Sequence, residues 1–255
     1  MITFNNARTV EKALKSLSWV DELVVVDSFS TDGTAEIATR CGARVIQRPW
    51  PGFRDQYQFA ADQCAHDWVV FADADEEVTP ELVAEIRKEL ARNALRPDAQ
   101  RIRGYLAHRI TFFLGRWIRH GGWAPASDAE IRLYHKASGK WLGDLHATPR
   151  IEGATAHFKN LYNHYSYENI AALVEKVDAY STIAAGDDLR NGKRASFFKL
   201  ATRPAARFVR DYFFKCGFLD GFPGLLTALN TAYYVAVKQA KLWELERFGD
   251  KEKNA

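Results

Sequence analysis

Cysteine is scarce in this chain: Cys41, Cys64 and Cys216 are odd in number and share no metal-like spacing. Neither a disulfide framework nor a zinc site is indicated, and a reducing compartment fits best. Long apolar runs are missing too. No segment supplies about 18 uninterrupted apolar residues, and the start, MITFNNARTVEKALKSL, has no apolar h-region, so neither a spanning helix nor a secretory leader is expected. Charge of one sign is in short supply, with a net charge of +3. That is too small to select nucleic acid by bulk electrostatics, so any basic partner surface has to be local. Internal repeats and low-complexity tracts are absent.

What is present is a chain of 255 residues, 47% hydrophobic, long enough for one large core or a domain with an appendage. Its first 95 residues alternate. Apolar runs at Leu23 to Val26, Val45 to Ile46 and Trp68 to Ala72 read as buried strands, bounded by turn residues such as Ser28, Gly33 and Gly42. Between them, Val10, Leu14 and Leu17 recur at helical spacing, and Thr31 or Asp32 can cap a helix through Ile37. Thr79-Pro80-Glu81 opens another helix through Leu90 in the order N-cap, N1 proline, acidic first turn. Strand and helix in alternation predict an α/β fold with a mainly parallel sheet flanked by helices. Ligands of such sheets sit at the carboxyl ends of the strands, where VVVDSFSTDGT and VVFADADEE place their polar residues.

The stretch VVFADADEE raises a physical question, because four carboxylates within five positions repel one another unless a cation, a proton or water relieves them. A bare Asp-x-Asp is expected by composition about once in a chain like this one. The context is what matters: Asp73 and Asp75 follow an apolar strand and precede a capped helix, which aims them into a ligand crevice. Mg2+ and Mn2+ take oxygen ligands, usually one or two carboxylates plus phosphate oxygens and waters. For Glu76 and Glu77, a solvated acidic helix start is an equally good reading.

From about Arg101 to Ile151 the chain reads as irregular, substrate-shaping sheet and loop, with one strong strand at Ile131 to Tyr134. From Ser166 onward the periodicity is helical, in stripes at Ile170 to Val177, Phe197 to Lys215 and Leu225 to Glu246. The segment AGDDLRNGKR suggests a boundary, with a main domain over 1–185 and a helical, basic and aromatic extension over 186–255. Phe197, Phe198, Phe208, Tyr212, Phe213 and Phe214 interleave there with Lys199, Arg203, Arg207, Arg210 and Lys215. That pattern suits the cytoplasmic face of an anionic inner membrane or a phosphorylated lipid head group; packing against the main domain is the competing reading. Nucleic acid is not expected, since the aromatics follow helical stripes and not a stacking platform on a sheet.

Several motifs in a fixed order, ITFNN, DELVVVDSFSTDGT, Trp50-Pro51-Gly52-Phe53, WVVFADADEEV, RLYHK, LGDLHATP and NHYSYENI, resemble the family 2 glycosyltransferases. Within them the chain is similar to the bacterial branch that adds glucose to the lipopolysaccharide core. The resemblance implies a GT-A type domain that binds a nucleotide sugar, with UDP-glucose the donor it points to and a lipopolysaccharide core or other glycolipid as acceptor. It places Asp27 near the uracil, Asp73 at the ribose and Asp75 on a divalent metal, Mg2+ or Mn2+. Thr3 and Asn5 line the nucleotide pocket, and Ser28, Ser30, Asp32 and His146 join the substrate contacts. His164 is a candidate late metal or diphosphate contact, with a satisfied structural histidine as the competing reading.

In such chemistry a metal ion neutralises the departing nucleoside diphosphate, while a carboxylate takes the acceptor proton during one inverting displacement. The resemblance makes Asp128 the candidate base. The chain departs from its relatives in two places: Pro125-Ala126-Ser127-Asp128 interrupts a Pro-Asp pair, and His146-Ala147 stands where His-Glu is usual. Relatives also carry four or five apolar residues ahead of the ITFN-like segment, so an upstream extension is expected to stabilise the first strand. Rival readings are a haloacid-dehalogenase-like phosphatase, a nucleotidyltransferase, and a non-catalytic binder of sugar nucleotides or glycolipids.

Overall fold

The computed structural model describes residues 1–125, 129–143 and 147–249. By compactness the chain divides into two units, Met1–Ile110 with Asp128–Ser166, and Thr111–Ser127 with Tyr167–Ala255. The sequence suggested a boundary at residues 186 to 195, where a helix runs unbroken to Arg190.

The first unit opens with strands β1 (Ile2–Thr3), β2 (Val24–Asp27) and β3 (Arg44–Gln47), paired parallel in that order. Helices α1 (Val10–Ser16) and α2 (Thr34–Arg40) are the crossovers that parallel pairing requires. The cap expected at Thr31 or Asp32 falls at the next residue. Gly33, at φ 90°, is the N-cap of α2, while the Asp32 carboxylate accepts from the Thr34 amide at 3.1 Å. Helix α3 (Phe53–Gln63), which the sequence reading missed behind the Trp-Pro-Gly loop, precedes strand β4 (Trp68–Val70). The acidic cluster then runs into a short strand, β5 (Glu76–Val78), and not straight into a helix. Helix α4 (Pro80–Ala94) starts as its sequence predicts: the Thr79 hydroxyl accepts from the Leu82 amide at 3.2 Å, a cap worth about 1 kcal/mol.

The middle of the chain is far more regular than expected. It contains β6 (Ile102–Phe113), β7 (Arg116–Ile118), β8 (Ala129–His135), β9 (Gly139–Leu142), β10 (Thr148–Ile151) and β11 (Ala154–His164). The larger sheet runs β4-β8-β6-β11-β5, and its described registers are antiparallel. The fold is thus mixed α/β with helical layers, as expected, and the parallel registers among the described residues are those of β1–β3. Short connections account for the antiparallel pairs β6–β7 and β9–β10; the other described pairs join strands far apart in sequence. Leu82 and Ile86 of α4 pack with Tyr105, Leu133, Phe158 and Tyr162 of this sheet in the main core.

The second unit is mostly helical: α5 (Ile170–Arg190), α6 (Phe197–Val209), a π-turn over Arg210–Phe214 and α7 (Gly221–Phe248). Phe113, Ile118 and Leu173 form its small core with Trp123, Tyr167 and Leu226. Among the described residues no helix is long and apolar enough to cross a membrane.

Candidate active site

Strand β2 delivers Asp27 to the end of the parallel sheet, where it is fully buried. Its carboxylate accepts from the Thr3 hydroxyl at 2.8 Å, the Ser30 hydroxyl at 2.5 Å and the Ser30 amide at 2.8 Å. Asn5, in the left-handed region at φ 53°, donates its amide to Ser30 Oγ at 2.8 Å and accepts from the Thr31 amide at 2.9 Å. Asp32 accepts from the Ala7 amide at 2.9 Å and the Thr34 hydroxyl at 2.5 Å. Burial acts against it, yet these bonds, led by the Thr34 hydroxyl, hold its carboxyl below the usual range. The loops after β1 and β2 are therefore laced into one wall, and the candidates Thr3, Asn5, Asp27, Ser30 and Asp32 all belong to it. Phe4 and Phe29 stand exposed on that wall, Phe29 at the unusual φ of 61°.

Two consecutive residues of α3 tie this wall to the acidic cluster. Gln56, fully buried, donates to Ser28 Oγ at 3.1 Å, and Tyr57 donates its hydroxyl to Asp73 Oδ1 at 2.8 Å. Burial, then the Asp73 charge, pushes the Tyr57 phenol well above its ordinary value, so it remains a donor at any working pH. Neither residue stood out in the sequence, because their role depends on the angle at which α3 crosses the strand ends.

The carboxylates of DADEE part company. Glu76 is buried and forms a two-pronged pair with Arg132 of β8, both N···O distances being 2.7 Å. It also accepts the Asp73 amide at 3.0 Å. Arg132 reaches Glu130 at 2.9 Å and lies 3.9 Å from Asp73 Oδ2. Burial alone would lower the Arg132 pKa, but the carboxylates of Glu76, Glu130 and Asp73 overcome it and hold the guanidinium charged. Glu77 accepts from Asn163 at 2.9 Å and Tyr165 at 2.8 Å, with Lys12 at 3.2 Å. A solvated helix start is thus the wrong description of Glu76 and Glu77. Each is held by a partner far away in sequence.

Asp75 lies with its Oδ2 3.5 Å from His164 Nε2, and its carbonyl accepts the Tyr165 amide at 2.8 Å. Asp73, Asp75 and His164 are all partly exposed, so solvent and solutes reach them. Among the described residues no three His, Cys, Asp or Glu side chains converge as a complete metal cage. Partly exposed carboxylate oxygens beside an imidazole do fit a hard divalent ion that draws its other ligands from a diphosphate and water. Asp73 accepts the Tyr57 hydroxyl, and Asp75 lies beside His164. Asp128 and His146 lie outside the described residues. The phosphatase reading needs its Asp-x-Asp on the first strand, and here it follows the fourth.

Residues 1–117 match the family described as Glycosyl transferase family 2. An uncharacterised glycosyltransferase of Rickettsia bellii is 34% identical over 96% of this chain and 85% of its own length. The lipopolysaccharide core biosynthesis glycosyltransferase LpsC of Rhizobium meliloti is 27% identical over 96% of this chain and 90% of its own. Among solved structures, S. aureus TarS residues 1–349 in complex with UDP-GlcNAc superimposes with a TM-score of 0.49 at 14% identity, covering 97% of this chain and 90% of that one. The chain belongs to the family 2 glycosyltransferases.

Proposed function

We propose that this protein moves a hexose, glucose in the first instance, from a UDP-linked donor to a lipopolysaccharide core or similar glycolipid, with inversion at the transferred carbon. The observation that carries the reading is the bridge made by Gln56 and Tyr57. It joins the Asp27 wall, suited to a nucleoside, to Asp73 and Asp75, suited to a diphosphate. Full-length similarity to a lipopolysaccharide core glycosyltransferase supports the acceptor class.

In this reading the loops after β1 and β2 take the base and ribose, and Tyr57 fixes Asp73 in one orientation beside them. Asp75, with His164 at its flank, would hold Mg2+ or Mn2+, which when bound supplies positive charge to the leaving diphosphate. Arg132 stays paired with Glu76 and sets the position of the Asp73 amide without touching the donor. Asp128 is proposed as the base that takes the acceptor proton. A glycolipid acceptor would bring the enzyme to the cytoplasmic face of the inner membrane.

The test is turnover. Release of UDP from UDP-glucose should require Mn2+ or Mg2+, rise with a lipopolysaccharide-core acceptor and disappear in Asp75→Ala while the melting temperature holds. Metal-independent release, or full activity in Asp75→Ala, would refute the assignment.

A further inference from the structure

Residues 189–243 carry ten Lys and Arg but only two carboxylates, Asp211 and Asp220. Both carboxylates are buried. Asp211 accepts from Arg207 at 2.7 Å, Arg210 at 2.8 Å and the Thr231 hydroxyl at 3.0 Å. Asp220 accepts from the backbone amides of Arg119 and His120 at 2.9 and 2.7 Å. The surface of this stretch therefore presents cations and no exposed carboxylate. Lys199, Arg203 and Lys215 have no ion-pair partner among the described residues.

The apolar residues of the same stretch are turned outward. No residue of α6 is buried, and Phe198, Ala205 and Val209, spaced seven and four apart, share one exposed face. Phe197 is 86% exposed, Phe198 74% and Phe214 81%, values that a side chain packed in a core does not show. Asp211, locked inward by two guanidiniums, fixes the π-turn so that Phe213 and Phe214 remain outside. The patch is preformed, and the packing explanation of these aromatics fails for this subset.

We propose that the exposed face of α6 and the following π-turn is a docking surface for an anionic phospholipid bilayer, with Phe198, Val209 and Phe214 entering the interface and Lys199, Arg203 and Lys215 meeting lipid phosphates. Apolar insertion beside an uncompensated row of cations is the combination that binds such a surface, each component being weak alone. A second copy of the chain is a poorer occupant, because a self-contact would oppose two cationic faces. The inference rests on the glycolipid reading only for its purpose. Its test reads binding and not turnover, so either can fail alone.

The full-length protein is floated with vesicles of phosphatidylcholine alone and with about 30% phosphatidylglycerol, at low and high salt. Binding to the anionic vesicles at low salt is expected, weakening as salt is raised. The double variants Phe198→Ser/Phe214→Ser and Arg203→Glu/Lys215→Glu should each lose about tenfold in bound fraction while melting like the parent. Equal binding to neutral and anionic vesicles, no binding at low salt, or unchanged binding of both variants would overturn the proposal. So would a concentration-dependent dimer in light scattering that Phe198→Ser/Phe214→Ser abolishes, since the face would then belong to a second copy.

Discussion

Arg132 and Glu76 meet with two parallel hydrogen bonds of 2.7 Å, 56 residues apart in sequence and both out of reach of water. This pair answers the question that the acidic cluster raises. Repulsion within DADEE is relieved by the protein itself: Arg132 for Glu76, Lys12 for Glu77, and the Tyr57 hydroxyl on Asp73. A divalent ion fits beside Asp75 and His164.

Breaking the pair from the cationic side strands a buried carboxylate. Arg132→Met should cost about 3–5 kcal/mol, and Glu76→Gln less, because Glu130 and Asp73 still face the Arg132 guanidinium when Glu76 loses its charge. Urea unfolding of the two variants and the double variant gives the coupling directly; additive effects would show that the pair does not act as a unit.

Tyr57→Phe preserves the stacking of this ring on Trp141, at 4.4 Å between centroids, and removes only the bond to Asp73. Stability should fall by about 1 kcal/mol. The KM for the sugar nucleotide should rise several-fold at nearly constant kcat, since Asp73 loses its fixed orientation. An unchanged KM would separate Asp73 from donor binding.

Glu85 on α4 accepts from the Lys159 amide at 2.9 Å and from the Asn160 amide and side chain at 3.0 and 2.8 Å. Burial opposes its ionisation, but these bonds win and hold its carboxyl below the ordinary range. A depressed carboxylate stabilises the fold above the unfolded-state pKa, and that contribution disappears as pH falls through the lower folded value. Glu85→Gln should therefore be less stable at pH 7, by about 1 kcal/mol after discounting for its contact with water. The difference should close in strong acid, as measured by urea midpoints across pH.

Gly224 lies where α7 crosses the turn before it, and an added Cβ would overlap the Gly217 carbonyl oxygen. Backbone cannot swing aside as a side chain can, so Gly224→Ala should cost about 1–3 kcal/mol or more. Gly33→Ala is the control for conformation without crowding. Nothing lies within 4 Å of its Cβ, but φ is 90°, and a loss of about 1 kcal/mol is expected. Thermal melts of both variants distinguish overlap from strain.

Local signals carried much of the fold. Thr79-Pro80-Glu81 starts α4 as read, because a cap is decided within four residues. Asp27, Asp73 and Asp75 sit at strand ends as their position after apolar runs implied. The long strands β6 and β11 were hidden, since their burial follows contacts with distant neighbours and their sequences mix apolar residues with Gly, Arg and His in β6 and with His, Lys and Asn in β11.

By itself the sequence determined the class of fold, the strand ends that carry aspartate and the family, because periodicity, caps and motif order are written within short windows. Only the tertiary structure decided what each carboxylate does. Glu76 meets Arg132 and Asp73 meets Tyr57 through strand pairing and helix crossing, and Phe198 is exposed because none of the described residues covers it. Electrostatics and burial are set by what lies nearby in space, and chain order does not record that distance.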